Sequence, residues 1–324
     1  MNKIGRYDLL ITGIIFILTV MVGVVYGATA IDPTEIGVGA RSLGMGKAYT
    51  AIADDGSAMF TNPAGLSKSS GFQIVSMNGN LLTEVPYTLV GLSQNMLEGT
   101  VAVGYVGLGM SGIQETVLVN GTPEATGNEA SFGNSVFNIS YSTDIEKVDI
   151  FNRINTGIFR DIKMGASVKF INQGYSGGGT SFSSGNKSGL DVDLGLISKI
   201  GKNETVGLAI KNILPGNNIG AEELPMSITA GFSNKFEKLN LLLAVDLEVR
   251  DSYLFHVGCE WKPIEFISLR GGIDQSPSGG EVVTNTATGV GINIKGFTFD
   301  YAYHTYAELV EFSTHYFSIG YSGI

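Results

Sequence analysis

The sequence is poor in most of what a soluble enzyme of its size carries. A single cysteine, Cys259, stands among 324 residues. That excludes an internal disulfide, and no cysteine lies near the amino terminus to take a lipid anchor. Charged residues make up 15% of the chain, against about a quarter in ordinary soluble domains. Beyond the first thirty or so positions no apolar run is long enough for a helix to cross a bilayer, which excludes a multi-span helical protein. No basic patch exists and the net charge is −10, so nothing is available to neutralise phosphates and nucleic acid is not an expected partner. The three histidines, His256, His304 and His315, are dispersed, and none has metal-ligand spacing with another His, Cys or Glu. Gly177-Gly178-Gly179 lacks the Lys-Ser/Thr ending and following helix of a phosphate loop. No catalytic set, metal or cofactor is expected.

What the chain does have is glycine, 45 residues of it, and a repeated pattern. The first 30 residues carry Lys3 and Arg6, an apolar run from Leu9 to Val25, and small residues at Gly27-Ala28-Thr29-Ala30. That order is the one of a secretory signal peptide, with cleavage after Gly27 or Ala30; a retained single-span anchor is the alternative. From Gly71 onward apolar and small or polar residues alternate with period two. Met164, Ala166, Val168 and Phe170 alternate with Gly165, Ser167 and Lys169; Leu190, Val192, Leu194 and Leu196 with Asp191, Asp193 and Gly195; Phe297, Phe299, Tyr301 and Tyr303 with Thr298, Asp300 and Ala302. This is the pattern of half-buried strands. Such segments fall at 71–77, 86–94, 100–109, 134–143, 161–173, 188–200, 204–212, 225–235, 239–249, 252–262, 264–275, 284–295, 297–306 and 312–322. The tally is about fourteen, an even number as single-chain bacterial barrels require.

The bulky apolar faces are continuous, and the opposite faces are too small and polar to coat a soluble protein alone. The expected fold is therefore all-β: a closed antiparallel transmembrane barrel with its greasy face toward outer-membrane lipid and a small amino-terminal plug. A soluble two-sheet sandwich is the competing arrangement. The division expected is a signal peptide over 1–30, a plug over 31–70 and the barrel over 71–324. Short turns alternate with long polar connections, among them Ser111–Gly133, Gly174–Lys187 and Ile213–Leu224. That matches periplasmic turns and external loops, with two exceptions, 144–160 long where a short turn is expected and Arg250-Asp251 short on the outer side. By alternation Lys169, Asp191, Asp193, Lys211, Asp246, Glu248, Glu260, Arg270, Asp274 and Asp300 point into the lumen. Buried there, each needs a partner. They form either a network clamping the plug to the wall or the lining of a polar conduit.

The stretch from Ile36 to Leu66, IGVGARSLGMGKAYTAIADDGSAMFTNPAGL, reads as a compact, mostly irregular segment. Asp54-Asp55 suits a turn and a helix start. Pro63 fixes its own φ and pushes Asn62 out of the helical region, and Asn62 then bonds nearby backbone. This stretch resembles the amino-terminal signature of the PorV/PorQ family, which groups with the FadL-type outer-membrane transporters that share the Asn-Pro-Ala element. MGASVKF at 164–170, LDVDLGL at 190–196 and the FSIGY ending extend the likeness over nearly the whole mature chain, while Lys47 stands where the family has a small residue. The resemblance implies an outer-membrane protein that is not an enzyme, with Asn62, Pro63 and Ala64 as plug residues. It also implies one of two functions: a type IX secretion accessory that binds secretion-system or cargo proteins, or a FadL-like transporter of hydrophobic small molecules. Leu108 to Val119 is the candidate lid or docking surface for either.

Overall fold

The computed structural model describes residues 32–69, 71–81, 84–148, 157–179, 185–216, 218–219, 222–278, 280–307 and 313–323. The expected signal peptide and residues 149–156 of the 144–160 connection lie outside the described residues. Among the described residues sixteen strands follow one another: β1 Phe72–Leu81, β2 Val85–Met96, β3 Gly99–Val119, β4 Thr122–Asp144, β5 Arg160–Gly177, β6 Gly185–Lys199, β7 Glu204–Lys211, β8 Asn218–Ile219, β9 Glu222–Glu223, β10 Ser227–Phe236, β11 Leu241–Val249, β12 Tyr253–Ile264, β13 Ile267–Ser278, β14 Glu281–Ile294, β15 Phe297–His304 and β16 Thr314–Ser322. All but β8 and β9 form one closed antiparallel barrel of 14 strands, and those two pair only with each other. The ring shuts where β1 meets β16, in register from Gln73 opposite Ser322 to Gly79 opposite Tyr316.

Alternation decides which side faces out. On β5 Ala166, Val168 and Phe170 are exposed, whereas Gly165, Ser167 and Lys169 are buried. On β6 Leu190, Leu194 and Leu196 are exposed while Asp191 and Asp193 are buried. Exposed aliphatic and aromatic residues recur on the outer face of strand after strand, as with Tyr105, Phe137, Val257 and Phe299. A greasy belt of this extent has no place in water, and around a closed ring it is the lipid contact of an outer-membrane barrel.

Two of the connections at one end are two-residue hairpins with both residues at positive φ, Leu97-Glu98 (56° and 61°) and Lys295-Gly296 (51° and 84°). That geometry matches the twist of the flanking strands. The opposite end carries the long connections and is the external one by the same asymmetry. Here the structure corrects two expectations. Ser111–Gly133 is no loop: β3 and β4 continue through two register shifts to a tight turn at Asn120-Gly121, giving a projecting hairpin. Likewise β5 and β6 extend to Gly177 and from Gly185, and Gly178 N–H donates to Glu129 O at 2.8 Å, tying the second hairpin to the first.

The interior is filled by residues 32–69. A 3₁₀ turn at Pro33–Ile36 is capped by Asp32, which accepts from Thr34 N. Two short helices follow, α1 Ala40–Gly44 and α2 Ala58–Thr61, then a 3₁₀ stretch Pro63–Lys68 capped by Asn62. No turn of this plug is long enough to stand alone in water. It is held by burial: Leu43, Met45, Tyr49, Met59, Phe60 and Leu66 are essentially inaccessible and share one core with wall residues such as Met77, Tyr87, Leu89 and Tyr316.

Candidate functional site

The plug meets the wall in two different ways. Toward β1, β2, β3 and β16 the contact is mainly apolar, through the core just named, with the Tyr87 hydroxyl 2.9 and 3.0 Å from Pro33 O and Gly37 O and Ser318 Oγ accepting from Ala40 N at 2.9 Å. Toward β5–β7 and β11–β15 it is a set of bonds and ion pairs. Close approach is possible because the inward positions there are often glycine. A Cβ on Gly195 would fall 3.0 Å from Ala64 N, one on Gly207 would fall 2.8 Å from Ala51 Cα, and one on Gly165 would meet Pro63 backbone.

The Asn-Pro-Ala element sits in this seam. Asn62 is wholly buried, and its Nδ2 lies 2.9 Å from Thr50 O, 3.3 Å from Leu196 O and 3.4 Å from Leu208 O. One amide thus joins a plug turn to β6 and β7. Its Oδ1 accepts from Ala64 N at 3.2 Å, and Ala64 O accepts from Ser142 on β4 at 3.0 Å. Pro63 packs against Gly165 on β5 and Gly195 on β6. Met59 O accepts from Asn138 Nδ2 at 2.9 Å.

The inward charges fall into separate groups. Lys169, fully buried, lies 2.9 Å from both Asp32 and Asp193, and donates to Asn212 Oδ1 at 2.5 Å. Lys211 and Arg250 flank Glu35 at 3.2 and 3.4 Å. Asp246 Oδ2 accepts the backbone N–H groups of Tyr49 and Thr50 at 2.9 and 2.8 Å. Glu248 lies 3.4 Å from His256. Glu260 takes Arg41 from the plug and Arg270 from the wall, each at 2.8 Å, and Arg270 reaches Asp300 at 2.6 Å. Asp274 pairs with His304 at 2.5 Å and lies 3.7 Å from Lys47. Among the described residues Asp191 joins no ion pair; its Oδ1 accepts from Val192 N and Leu214 N. Asp32, Glu35 and Arg41 are plug residues that alternation could not single out, since it applies only to strands. Asp54 and Asp55 sit at the turn expected of them, Asp54 on Arg41 and Asp55 accepting from Ser57 N at 2.8 Å.

Burial alone would push the Asp32 carboxyl up; Lys169 and Lys211, with the Thr34 bond, more than offset this and hold it down at about 2. Burial pulls the Lys68 ammonium down to about 8 against the attraction of Asp54, while it donates to the carbonyls of Ala51 and Ile52. A cavity of about 60 Å³ remains between plug and wall, lined by Glu35, Lys47, Lys211, Glu248 and His256 among others. Its walls suit water.

Above the plug the inner face changes character row by row. Strand register aligns Gly104, Asn138 and Lys169 in one row, then Val106, Val136 and Ile171, then Leu108, Asn134, Gln173 and Lys187, then Met110, Phe132 and Tyr175. Lys169 and Asn138 contact the plug, so alternate positions above them face the same lumen. Phe132 and Tyr175 stack with ring centres 4.9 Å apart. Met110 and Tyr175 are 38% and 41% exposed although they face inward, so this row opens to the outside. We term it the vestibule. At its floor Val136 and Ile171 are covered by Ile219 and Leu224 of the β7–β10 connection, and all four are buried together. That connection turns inward because Asn212 adopts φ 57° and ends β7.

No protein-family profile and no curated protein matches the chain. Solved structures do. The Pseudomonas putida toluene transporter TodX matches at TM-score 0.63 and 14% identity, over 90% of this chain and 97% of that one. This is the fold of the FadL-type outer-membrane channels. The Ralstonia pickettii toluene transporter TbuX follows at TM-score 0.59 and 15% identity, over 92% and 99% of the two chains. A Pseudomonas aeruginosa FadL homologue gives 0.57 at 11% identity, over 91% and 100%. At these identities the likeness concerns architecture.

Proposed function

We propose that this outer-membrane barrel takes up small hydrophobic molecules, binding them first in the vestibule. The observation that carries the reading is the Met110–Phe132–Tyr175 row, apolar, inward-facing and open at the external end. Ligand sites of this kind are concave and mostly apolar, with a few polar groups for orientation, here the amide of Gln173. The shared architecture with two toluene transporters supports the reading. The lumen below is closed by the plug, so binding at the mouth precedes any passage. The test is equilibrium binding of toluene to the protein in lipid nanodiscs, measured against empty discs. Phe132→Ala with Tyr175→Ala removes two large apolar contacts and weakens binding by at least tenfold, about 1.4 kcal/mol. Unchanged binding would sink the proposal.

A second reading keeps the secretion role implied by the PorV/PorQ resemblance. It is favoured by the projecting β3–β4 hairpin, which presents Val117, Leu118 and Val119 to solvent, Leu118 at 74%. The pairing of β3 with β2 ends at Leu108 opposite Tyr87, while β3 runs on to Val119, and a projecting strand beside apolar side chains suits another protein. Shortening the hairpin between Gly112 and Glu129 separates the two readings. Loss of secreted-protein release with toluene binding intact favours the secretion role; the reverse favours uptake.

A further inference from the structure

The β7–β10 connection does more than join two strands. It leaves the wall at Asn212, whose Oδ1 accepts from Lys169 and whose Nδ2 donates to Pro225 O at 3.0 Å, so both ends of the excursion are pinned to one amide. Between those ends the β8–β9 pair sets Ile219 opposite Glu222 and Asn218 opposite Glu223. Ile219 and Leu224 lie on Val136 and Ile171, burying two of the three residues of the lowest apolar row of the vestibule, while Val106 belongs to the plug core. Glu222 stands 4.0 Å from Lys187, which belongs to the row of Leu108, Asn134 and Gln173. Two features mark this contact as separable from the fold. It forms its own small core, apart from the one that joins plug to wall. And the Lys187–Glu222 pair is solvent-accessible on both sides, 44% and 32%, and is correspondingly weak.

The geometry points to an internal stand-in for the ligand: Ile219 and Leu224 occupy the floor of the vestibule and must leave it before a hydrophobic molecule can settle there. This rests on the uptake reading, since it names the regulation of the same site. One row, Leu108, Asn134, Gln173 and Lys187, separates Val106–Val136–Ile171 from the open row, so a ligand entering past Phe132 and Tyr175 crosses it before it meets Ile219 and Leu224. Ligand and connection compete for one surface. The apparent affinity is then the intrinsic one reduced by the fraction of molecules whose connection is displaced.

The experiment again uses toluene and nanodiscs. Ile219→Ser with Leu224→Ser removes the connection's apolar hold and tightens toluene binding, about tenfold if roughly a tenth of native molecules are displaced at any time. The opposite perturbation guards against a folding artefact. In a Cys259→Ser background, Lys187→Cys and Glu222→Cys are joined by a short bismaleimide, which holds the connection in place and weakens binding at least tenfold relative to the unlinked protein. Heat-modifiable electrophoretic mobility checks that each barrel is intact. If neither variant changes the toluene affinity while Phe132→Ala with Tyr175→Ala still weakens it at least tenfold, the stand-in is refuted and the uptake reading stands. Binding that ignores Phe132 and Tyr175 as well overturns both.

Discussion

Replacing Lys169 by methionine tests the charged seam at its most demanding point. The ammonium is fully buried and neutralises Asp32 on the plug and Asp193 on β6, each 2.9 Å away. Methionine keeps the length of the side chain and much of its volume but leaves two carboxylates facing each other out of water. Breaking a buried ion pair by removing one partner costs about 3–5 kcal/mol. The loss falls on the docking of the first plug turn, whose Thr34 N–H donates to Asp32 Oδ1 at 2.8 Å and whose Glu35 N–H donates to Asp32 O at 3.0 Å. Hydrogen exchange of those two amides, followed by mass spectrometry in nanodiscs, reads that docking directly. At about 1.4 kcal/mol per factor of ten, exchange speeds up by roughly two to three and a half powers of ten. The triple variant Lys169→Met, Asp32→Asn, Asp193→Asn restores most of the protection, because a neutral set of similar shape carries no uncompensated charge. Exchange in the single variant within threefold of the native protein would show that water or a neighbouring cation already screens the carboxylates, and the reasoning would fail.

The glycine seam gives a second expectation. Gly165→Val drives a branched side chain into Pro63 backbone, where neither side can yield. The barrel still forms, but the plug loses its seat and limited proteolysis cuts within 32–69, which the native protein resists. Acid gives a third. Asp32 is held at about 2 against 3.8 for a free carboxyl, so an undocked plug takes up the proton first. The contribution, about 2 kcal/mol, is present above pH 3.8 and lost as the pH falls through 2. Corrected exchange of the Thr34 amide is expected to rise by about tenfold between pH 5 and pH 2.5. A flat profile would show that the lysine pairing does not depend on that charge.

Much of the ring was legible because lipid imposes a strict rule on it. Where one face meets hydrocarbon and the other a packed plug, every second residue is constrained, and runs such as Met164 to Phe170 declare themselves. The rule lapses above the membrane. Beyond Met110 most side chains of β3 and β4 are exposed and two register shifts break the period, so the hairpin read as a loop. A local signal was there: Asn120-Gly121 is a strong two-residue turn pair between possible strands. The plug was legible as a unit, from its glycines and its Asn-Pro-Ala ending, but not in its bonds. Arg41 joins Glu260 across 219 positions of sequence, and no spacing rule reaches that far. Ile219 and Leu224 are isolated apolar residues in a polar stretch, and only the inward turn at Asn212 gives them a surface to cover.

The glycines opposite the plug also bear on how such barrels can be recombined. At Gly165, Gly195 and Gly207 the wall is cut to the contour of one particular backbone, with less than a methyl group to spare. An insert taken from a sister protein would have to trace the same path at all three places at once. Chimeras that exchange only residues 32–69 should therefore be rejected by the host cylinder far more often than those that carry the facing strands along, and compatibility will follow the pattern of missing side chains rather than overall percentage identity.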